Sequence, residues 1–497
     1  MEERRRALRL AALALGLSLG GAAAACVPSL QGTRLESPRY VLVYRTGEVS
    51  VAKHFKVDVE ACAKSGPPPE SLKVDATMPE HKHGMNYAPT VKKLAPGRWQ
   101  AEGLMFHMPG RWELAFVVDG ERLASSLSLS REVDFSEQEK AAILRHGPWP
   151  PPFKADASNR VSGKPEAIAL GEKLFFDPRI SGPGSVLCAT CHAPGKAFQD
   201  GKPRAFGLAQ VDRNTPSVFN VRYGRWYGWD GGHDSLWSQS IRPLLDAKEM
   251  DANAGHVAQA VRKLYPAEYR KTFQEEPRDD ETVLVNVGKA LAAYQETLVT
   301  GRTPFDDFRD ALEKDDLEKA KGYPPAAQRG LRIFIGKGNC STCHFGPAFT
   351  NGEFADTGIS FFVEKGRVDG GRSTGLRKLK DDPFNLLGKY NDDASRANAV
   401  GTLHVEPQHK NFGEFRVPSL RNVANTAPYM HNGSLATLRE VVRHYSELNE
   451  ERLHADGERI LRRLDLSSGE QADLVAFLRS LSDGQAWVRR EADKCVE

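Results

Sequence analysis

Two short segments combine cysteine and histidine in the same order: Cys188-Ala-Thr-Cys191-His192 and Cys340-Ser-Thr-Cys343-His344. In a Cys-x-x-Cys-His segment, the two thiols can form thioethers to a haem while the adjacent imidazole ligates its iron. A structural zinc site built from both cysteine pairs, or a thioredoxin-like dithiol, would leave the His after each pair unexplained. We therefore predict two covalently bound c-type haems.

Three cysteines lie outside these segments: Cys26, Cys62 and Cys495. Residues 1–25 combine four Arg with an apolar run, the pattern of a secretory signal, and the run is too short and too rich in Ala and Gly to span a membrane convincingly. Cys26 follows Ala23-Ala24-Ala25, so both a lipid anchor at Cys26 and ordinary signal cleavage stay open. A Cys62–Cys495 disulfide is compatible with export but has no specific support.

Length and charge restrict the function further. The 497 residues predict two to four domains, and 40% hydrophobic with 27% charged residues is ordinary for a soluble globular protein. Removing residues 1–25 takes away four Arg and two Glu, which lowers the formal net charge from +3 to +1. This near-neutral balance gives no support to nucleic-acid binding. Export to the periplasm or beyond agrees with the haem segments, because covalent haem attachment is expected outside the cytoplasm.

The region before the first haem segment divides into two parts. Residues 26–133 contain β-branched and aromatic runs separated by Pro and Gly turns, which predict a small β-sandwich with strands near Tyr40–Tyr44, Val49–Val59 and Trp112–Val118. Residues 134–160 form a Pro-rich linker, in which Ser136-x-x-Glu139 predicts the start of a short helix. The Gly147–Pro152 run predicts an extended connection.

Beyond about residue 160 the pattern is helical, and each half contains one haem segment. Apolar stripes predict helices over Glu281–Val299, after the Thr437-x-x-Glu440 cap, and after Ser468. The predicted fold class is a small all-β sandwich followed by two mainly α cytochrome c-like domains, 161–315 and 316–490. The halves share the haem segment and little else.

The region from about 160 to 485 resembles the bacterial di-haem cytochrome c peroxidase/MauG family along nearly its whole length. The stretches that carry the resemblance are Leu170–Arg179, Arg213–Pro216, Trp229–Gly232, Glu249-Met250, Ala293–Thr300, Val417–Val423 and Thr426–Gly433. This resemblance implies peroxide chemistry at the first haem and electron storage at the second.

The resemblance implies a distal acid/base for the first haem. Glu249 stands at the family's distal Glu position, where a carboxylate can accept a proton from peroxide and return it to the leaving oxygen. Gln239 matches a distal hydrogen-bonding Gln. Classical members close the resting first iron with a His downstream of the haem segment, but residues 193–213 contain no His. The chain is therefore similar to members with an open first haem, although His233 stays an alternative ligand.

At the second haem, the sixth ligand distinguishes subgroups of the family. Classical peroxidases place a Met where this chain has Tyr445, whereas MauG and its relatives have a Tyr there. A hard, anionic phenolate favours oxidised iron, and a thioether favours reduced iron. Met430 is the rival ligand. Trp229 matches the family's Trp between the two haems, which implies a relay for electrons.

Two further metal sites are predicted. The resemblance implies a calcium site built from Asn214 and the carbonyls of Thr426 and Pro428, because a hard cation prefers oxygen ligands. In the N-terminal region, thioethers and imidazoles suit copper, and their segments resemble exported β-sandwich domains of the YtkA type. The candidate copper ligands are Met78, His81, His83, Met85, His107 and Met108. The alternatives are solvated loop histidines and a surface that docks a partner protein.

Taken together, these features predict an exported di-haem peroxidase of MauG-like character. Its partners are hydrogen peroxide and a small soluble electron donor, such as a cytochrome c or a cupredoxin. One alternative is a MauG-like oxidase that modifies residues of a substrate protein. Another is a non-catalytic di-haem electron carrier.

Overall fold

The computed structural model describes residues 27–484, except 48, 50, 52, 80–82, 86–87, 109, 130–134, 361 and 457–459. The predicted signal over 1–25, Cys26 and Cys495 lie outside the described residues. The chain divides into two compact units, Met1–Arg131 and Glu132–Glu497. Among the described residues, every helix is too short or too polar to cross a membrane.

The first unit is a β-sandwich, as the alternation of apolar and polar residues predicts. One sheet has the strand order β1-β2-β3-β7-β6 and the other has the order β5-β4-β8-β9, with antiparallel neighbours in both sheets. The strands are β1 (Thr33–Glu36), β2 (Tyr40–Thr46), β3 (His54–Ala63), β4 (Leu72–Met78), β5 (His83–Gly84), β6 (Thr90–Ala95), β7 (Arg98–Met105), β8 (Gly110–Val118) and β9 (Glu121–Leu129).

The sandwich core follows from the two-residue period of its strands. In β3, Val57 and Val59 are buried while Lys56 is exposed, and the inward side chains of both sheets pack around Trp112. Cys62 is buried and disulfide-bonded, and its partner lies outside the described residues. The sequence allows Cys495 as the partner of Cys62 without favouring it, and that pairing stays untested.

The second unit is mainly helical and contains both haem segments. Its helices are α1 (Glu137–Leu144), α2 (Pro165–Phe175), α3 (Cys188–Cys191), α4 (Leu236–Leu245), α5 (Ala254–Leu264), α6 (Pro266–Phe273), α7 (Asp280–Gln295), α8 (Pro304–Glu313), α9 (Leu317–Ala320), α10 (Pro325–Ile335), α11 (Arg372–Asp381), α12 (Val400–His404), α13 (Leu438–Ser446) and α14 (Ser468–Ser480). Two small two-stranded sheets complete this unit. One pairs β10 (Phe354–Ala355) with β13 (Phe415–Arg416), and the other pairs β11 (Phe362–Glu364) with β12 (Arg367–Val368).

Three predicted helix starts can be checked against these bounds. Ser136 with Glu139 and Thr437 with Glu440 form reciprocal capping boxes, as predicted. The last helix begins at Ser468 itself, because the Ser467 hydroxyl is the group that accepts from the Glu470 backbone N–H. The expected cap was therefore one residue too late.

The two halves share a close crossing of two helices, although their sequences have little in common beyond the haem segment. In the first half, α2 crosses α7 so closely that a Cβ on Gly171 would lie 2.0 Å from the Ala290 carbonyl oxygen. In the second half, a Cβ on Gly330 of α10 would lie 2.0 Å from the Asp473 carbonyl oxygen of α14. Only glycine permits either approach, so each half is built around the same kind of crossing.

The segment before α2 packs onto the haem halves. Helix α1 lies against α8 and α10, and Arg332 Nε is 2.7 Å from Glu139 Oε1. Trp149 is buried, donates from its indole N–H to the Thr300 carbonyl, and has the Arg421 guanidinium over its ring at 4.2 Å. The linker forms no helix or strand over Gly147–Pro152, but its Trp149 is buried in the second unit.

Candidate functional site

Both haem segments hold their histidine in the same way. His192 Nδ1 lies 3.1 Å from the Phe198 carbonyl oxygen, and His344 Nδ1 lies 3.0 Å from the Phe349 carbonyl oxygen. Such a contact fixes Nδ1–H as a donor in the neutral ring and leaves Nε2 for a metal. Burial lowers the pKa of both rings, to about 4 for His344, which keeps them in the neutral form that iron ligation needs.

The cysteines of both segments are free thiols, as haem attachment requires. Burial raises the pKa of Cys188 and Cys340 to about 12 each, and that of Cys191 to about 11. In the haem-loaded protein these sulfur atoms are thioethers and no longer titrate. Free thiols next to a neutral imidazole therefore fit a covalently attached haem in each half.

A cavity of about 560 Å³ surrounds the second segment. His344 lines it on one side, and Leu438, Val441, Val442 and Tyr445 of α13 line it as well. Burial raises the pKa of Tyr445, and the neighbouring Cys340 and Cys343 raise it further; all three residues line this cavity. Met430 also lines the cavity, so both candidate sixth ligands lie in the same space.

The first segment faces a charged distal side. Arg242 on α4 lies 2.6 Å from Glu249, measured from Nη2 to Oε1, and 3.2 Å from Asp246. Cys191 Sγ lies 3.8 Å from the Phe206 carbonyl, and the next residue, Gly207, lies against the Glu249 backbone, so the Glu249 backbone is near the first haem segment. Burial raises the pKa of Cys191, and the Glu249 charge raises it further. The predicted distal Glu is therefore next to the first motif and carries an arginine partner.

The backbone around Glu249 is held by hydrogen bonds. Its N–H donates to the Asp246 carbonyl at 3.0 Å, and its own carbonyl accepts from Leu208 at 3.3 Å. The Ala209 N–H donates to the Lys248 carbonyl at 2.9 Å. The turn after α4 is thus tied to the loop after the first haem segment, which fixes where the carboxylate can reach.

Gln239 lies one turn before Arg242 on α4. Its side-chain oxygen is buried, and no hydrogen-bond partner for it is present among the described residues. A buried amide oxygen without a partner is costly, so a ligand or water that donates to it fits here. His233 Nδ1 lies 3.0 Å from Ser238 Oγ and 3.1 Å from Asp382 Oδ2, which leaves its Nε2 for a metal, so His233 stays an alternative ligand.

The predicted relay and calcium residues lie at the contact between the halves. The Trp229 indole N–H donates to the Asn214 carbonyl at 2.9 Å, and Trp229 lines the cavity of the second segment. Asn214 is buried, and its backbone N–H donates to the His431 carbonyl. Thr426 and Pro428 line the same cavity. The relay and the calcium site both stay predictions.

Two residues that matter at these sites were not found from the sequence. Arg242 of α4 pairs with Glu249, which lies in the turn after the helix. No sequence motif predicts an ion pair between residues seven positions apart across a helix end. His146, in the linker, is buried and lies with Nε2 3.3 Å from the His344 carbonyl and Nδ1 3.0 Å from the Ala142 carbonyl. The linker thus contacts the proximal side of the second haem segment.

The N-terminal unit brings several of its predicted copper ligands together. Met78 of β4 pairs with His83 of β5, and the rings of His83 and His107 are 5.2 Å apart. His107 Nδ1 is buried, and the described part of the chain offers it no hydrogen-bond partner. Met85 and Met108 pack at the edge of the sandwich core, and His81 lies outside the described residues.

Comparison with known proteins gives consistent matches. Residues 165–314 match a family model described as di-haem cytochrome c peroxidase. A methylamine utilization protein MauG of Methylorubrum extorquens is 34% identical over 70% of this chain and 86% of its own length. A cytochrome-c peroxidase IdrP2 of Denitromonas iodatirespirans is 32% identical over 65% of this chain and 83% of its own length.

A solved structure extends the comparison to the fold. It is a MauG-like protein associated with microbial copper homeostasis, with a TM-score of 0.51 and 27% identity. The match covers 69% of this chain and 97% of that protein. The sequence and fold matches therefore agree.

Proposed function

Because the chain belongs to the di-haem cytochrome c peroxidase family, which includes MauG, we propose that it is an exported peroxidase. It reduces hydrogen peroxide at the first haem with electrons that pass through the second haem. The observation that carries this proposal is the Arg242–Glu249 ion pair beside the first haem segment. When bound, the haems supply irons that accept and return single electrons.

Glu249 acts as the proton carrier. Its carboxylate takes the proton from the peroxide oxygen nearest the haem and delivers it to the other oxygen, which leaves as water. Arg242 stabilises the carboxylate anion and orients it through a charge-assisted hydrogen bond. The Gln239 amide can hydrogen-bond the peroxide. Two electrons and two protons complete the conversion of one peroxide to two waters.

Glu249→Gln tests this role directly. The amide keeps the size of the side chain but cannot carry the proton, so peroxide turnover should fall by roughly 10²–10⁴-fold at unchanged haem content. Glu268→Gln is the matched control, because Glu268 pairs with Lys173 on the surface of the first half. Turnover of Glu249→Gln within a few-fold of the wild type would contradict the acid/base role.

A MauG-like oxidase is the second candidate, and the 34% identity to a MauG favours it. Rapid oxidation of a reduced small cytochrome c or cupredoxin by peroxide would support the peroxidase. Slow oxidation of every such donor, together with peroxide-dependent mass changes in a co-purified protein, would support the oxidase. A resting EPR spectrum without a high-spin ferric signal would instead indicate an electron carrier.

We propose in addition that the N-terminal unit binds copper through His83 and His107 with neighbouring Met thioethers. His107 Nδ1, which is buried and has no hydrogen-bond partner among the described residues, supports a metal at this point, and the solved MauG-like relative is associated with copper homeostasis. Met78, however, is fully buried in the sandwich core, so the thioethers of Met85 and Met108 are the more accessible ones.

The copper proposal is tested on the full-length, haem-loaded protein. Competition with a Cu(I) chelator should show that His107→Asn binds one copper fewer than the wild type. His54→Asn, at an exposed position of the same unit, should bind as the wild type does. Equal copper stoichiometry in all three proteins would refute the site.

A further inference from the structure

Three potential metal ligands lie close together in the second haem half, outside the residues that line the cavity of the second haem segment. His409 begins a short 3₁₀ turn, and His454 and Asp456 lie on the loop after another such turn, Glu450–Arg452. One donor atom from each side chain lies within 4.8 Å of the other two. His409 Nδ1 is 2.6 Å from Asp456 Oδ2, and the two imidazole rings are 4.9 Å apart.

Both segments are fixed by hydrogen bonds of their own. The His454 N–H donates to Asp356 Oδ2 at 2.7 Å, and the Asp456 N–H donates to His454 Nδ1 at 3.2 Å. On the other segment, the Asn411 side chain donates to Glu414 Oε2 at 2.8 Å. Hydrogen bonds therefore hold each of the two segments in place where the three side chains meet.

Two imidazoles and one carboxylate are the ligands of an open zinc site. Zn²⁺ binds such nitrogen and oxygen atoms at about 2.0–2.2 Å and often completes its tetrahedron with water. Tetrahedral donors are then about 3.4 Å apart, so His409 Nδ1 and Asp456 Oδ2 must move apart from 2.6 Å, while donors up to 4.8 Å from each other must move closer. The side chains of His409 and Asp456 are 81% and 61% exposed, which leaves them free to change rotamer.

The cluster lies beside a groove next to the second haem segment. His454 lines this surface groove of about 920 Å³ together with Trp226, Thr342 and Cys343. We propose that His409, His454 and Asp456 form a binding site for a divalent cation of the zinc class at the rim of this groove. A cation there adds positive charge on the side of the protein where the second haem is attached.

The proposal is tested by metal binding rather than by activity. The full-length, haem-loaded protein is freed of metal with a chelator and titrated with Zn²⁺ against a competing indicator. His409→Asn and His454→Gln should each bind one Zn²⁺ fewer than the wild type. Any zinc bound by the N-terminal unit is common to all these proteins and cancels in the comparison.

His404→Asn is the matched control. His404 lines the same groove but is outside the cluster, so this variant should bind as many Zn²⁺ as the wild type. Unchanged haem absorption in each variant shows that the second half is folded. Equal Zn²⁺ stoichiometry in the wild type and both cluster variants would overturn the proposal, with the cluster then only a hydrogen-bonded surface group.

Discussion

The two haem halves are alike on the proximal side and different on the distal side. Each half fixes its histidine by a contact from Nδ1 to a backbone carbonyl, Phe198 in the first and Phe349 in the second. On the distal side, the first half offers a partly exposed Arg242–Glu249 ion pair. The second offers a cavity in which apolar side chains of α13 and the Tyr445 phenol lie among polar and charged residues such as Arg416 and Arg421.

This difference shows which parts of the chain decide the chemistry. The haem segment and its carbonyl partner set attachment and proximal ligation, and both are repeated almost unchanged. In the first half, the side chains of α4 and of the turn after it can move protons. In the second half, the side chains of α13 suit a haem that only holds electrons. Two nearly identical motifs can thus serve unequal roles.

The largest expected effect concerns a buried arginine pair that joins the second half to α8. Arg421 forms two hydrogen bonds to Asp306, at 2.6 and 2.9 Å, and both side chains are almost fully buried. Arg421→Gln leaves a buried carboxylate unpaired, which should cost about 3–5 kcal/mol of unfolding free energy. Chemical denaturation followed by the second haem's absorption measures this loss.

The control for Arg421 is Arg302→Gln, just before the start of α8. Arg302 is 41% exposed and pairs with Asp307 and Asp310, so its loss should cost less than about 1 kcal/mol. If Arg421→Gln were as stable as Arg302→Gln, the Arg421–Asp306 pair would not be structural.

In the first half, Arg242→Gln should reduce activity rather than stability. The lost charge-assisted hydrogen bond is worth about 1.5–3 kcal/mol, which corresponds to roughly a 10–100-fold decrease in peroxide turnover. Arg242→Lys keeps the charge and should be intermediate. A variant that unfolds as easily as Arg421→Gln but turns over normally would reverse the proposed contrast.

A smaller effect concerns the pH dependence of the first half. Burial raises the pKa of Glu296, at the end of α7, to about 7, although a hydrogen bond from Ser162 opposes this. Since an unfolded Glu titrates near 4.3, the folded chain holds this proton more tightly. The resulting stability is fully present below about pH 4 and is lost as the pH rises through about 7.

Glu296→Gln removes that proton linkage. The decrease in unfolding free energy between pH 5 and pH 7 should shrink by about 1–2 kcal/mol, measured by urea denaturation at both values. Glu276→Gln, at an exposed position that pairs with Arg270, should keep the wild-type slope. An unchanged slope in Glu296→Gln would mean that Glu296 is ionised throughout this range.

The smallest expected effect is spectroscopic. Tyr445→Phe should change the optical or EPR signature of the second haem and leave that of the first unchanged. Tyr429→Phe is the control, because Tyr429 lines the same cavity but donates its hydroxyl to the Val423 carbonyl. If Tyr445→Phe has the wild-type spectrum, Tyr445 is a packing residue and Met430 becomes the candidate ligand.

Local signals in the sequence predicted much of the fold. The capping boxes at Ser136 and Thr437 and the alternating strands of the sandwich are correct because each depends on neighbouring residues. The second predicted strand begins at His54 rather than Val49. The crossing at Gly171 and Gly330 was not predicted, since a close approach of two helices leaves no local pattern.

At the candidate site, too, local patterns in the sequence were informative and tertiary contacts were not predicted. Motif spacing located both haem segments, and the family resemblance located Glu249 and Tyr445. Arg242 was missed because its pairing depends on the turn after α4. The His409, His454 and Asp456 cluster was missed because about 45 residues separate His409 from the other two. Only the tertiary fold brings the three side chains together.

The packed linker has a practical consequence for where the haem unit begins. The family match starts at residue 165, yet Phe135, Ile143, His146 and Trp149 are buried in the same unit. A protein that begins at residue 165 would expose the surfaces that these side chains cover. The smallest fragment able to mature with both haems should therefore start near residue 135, thirty residues before the family boundary.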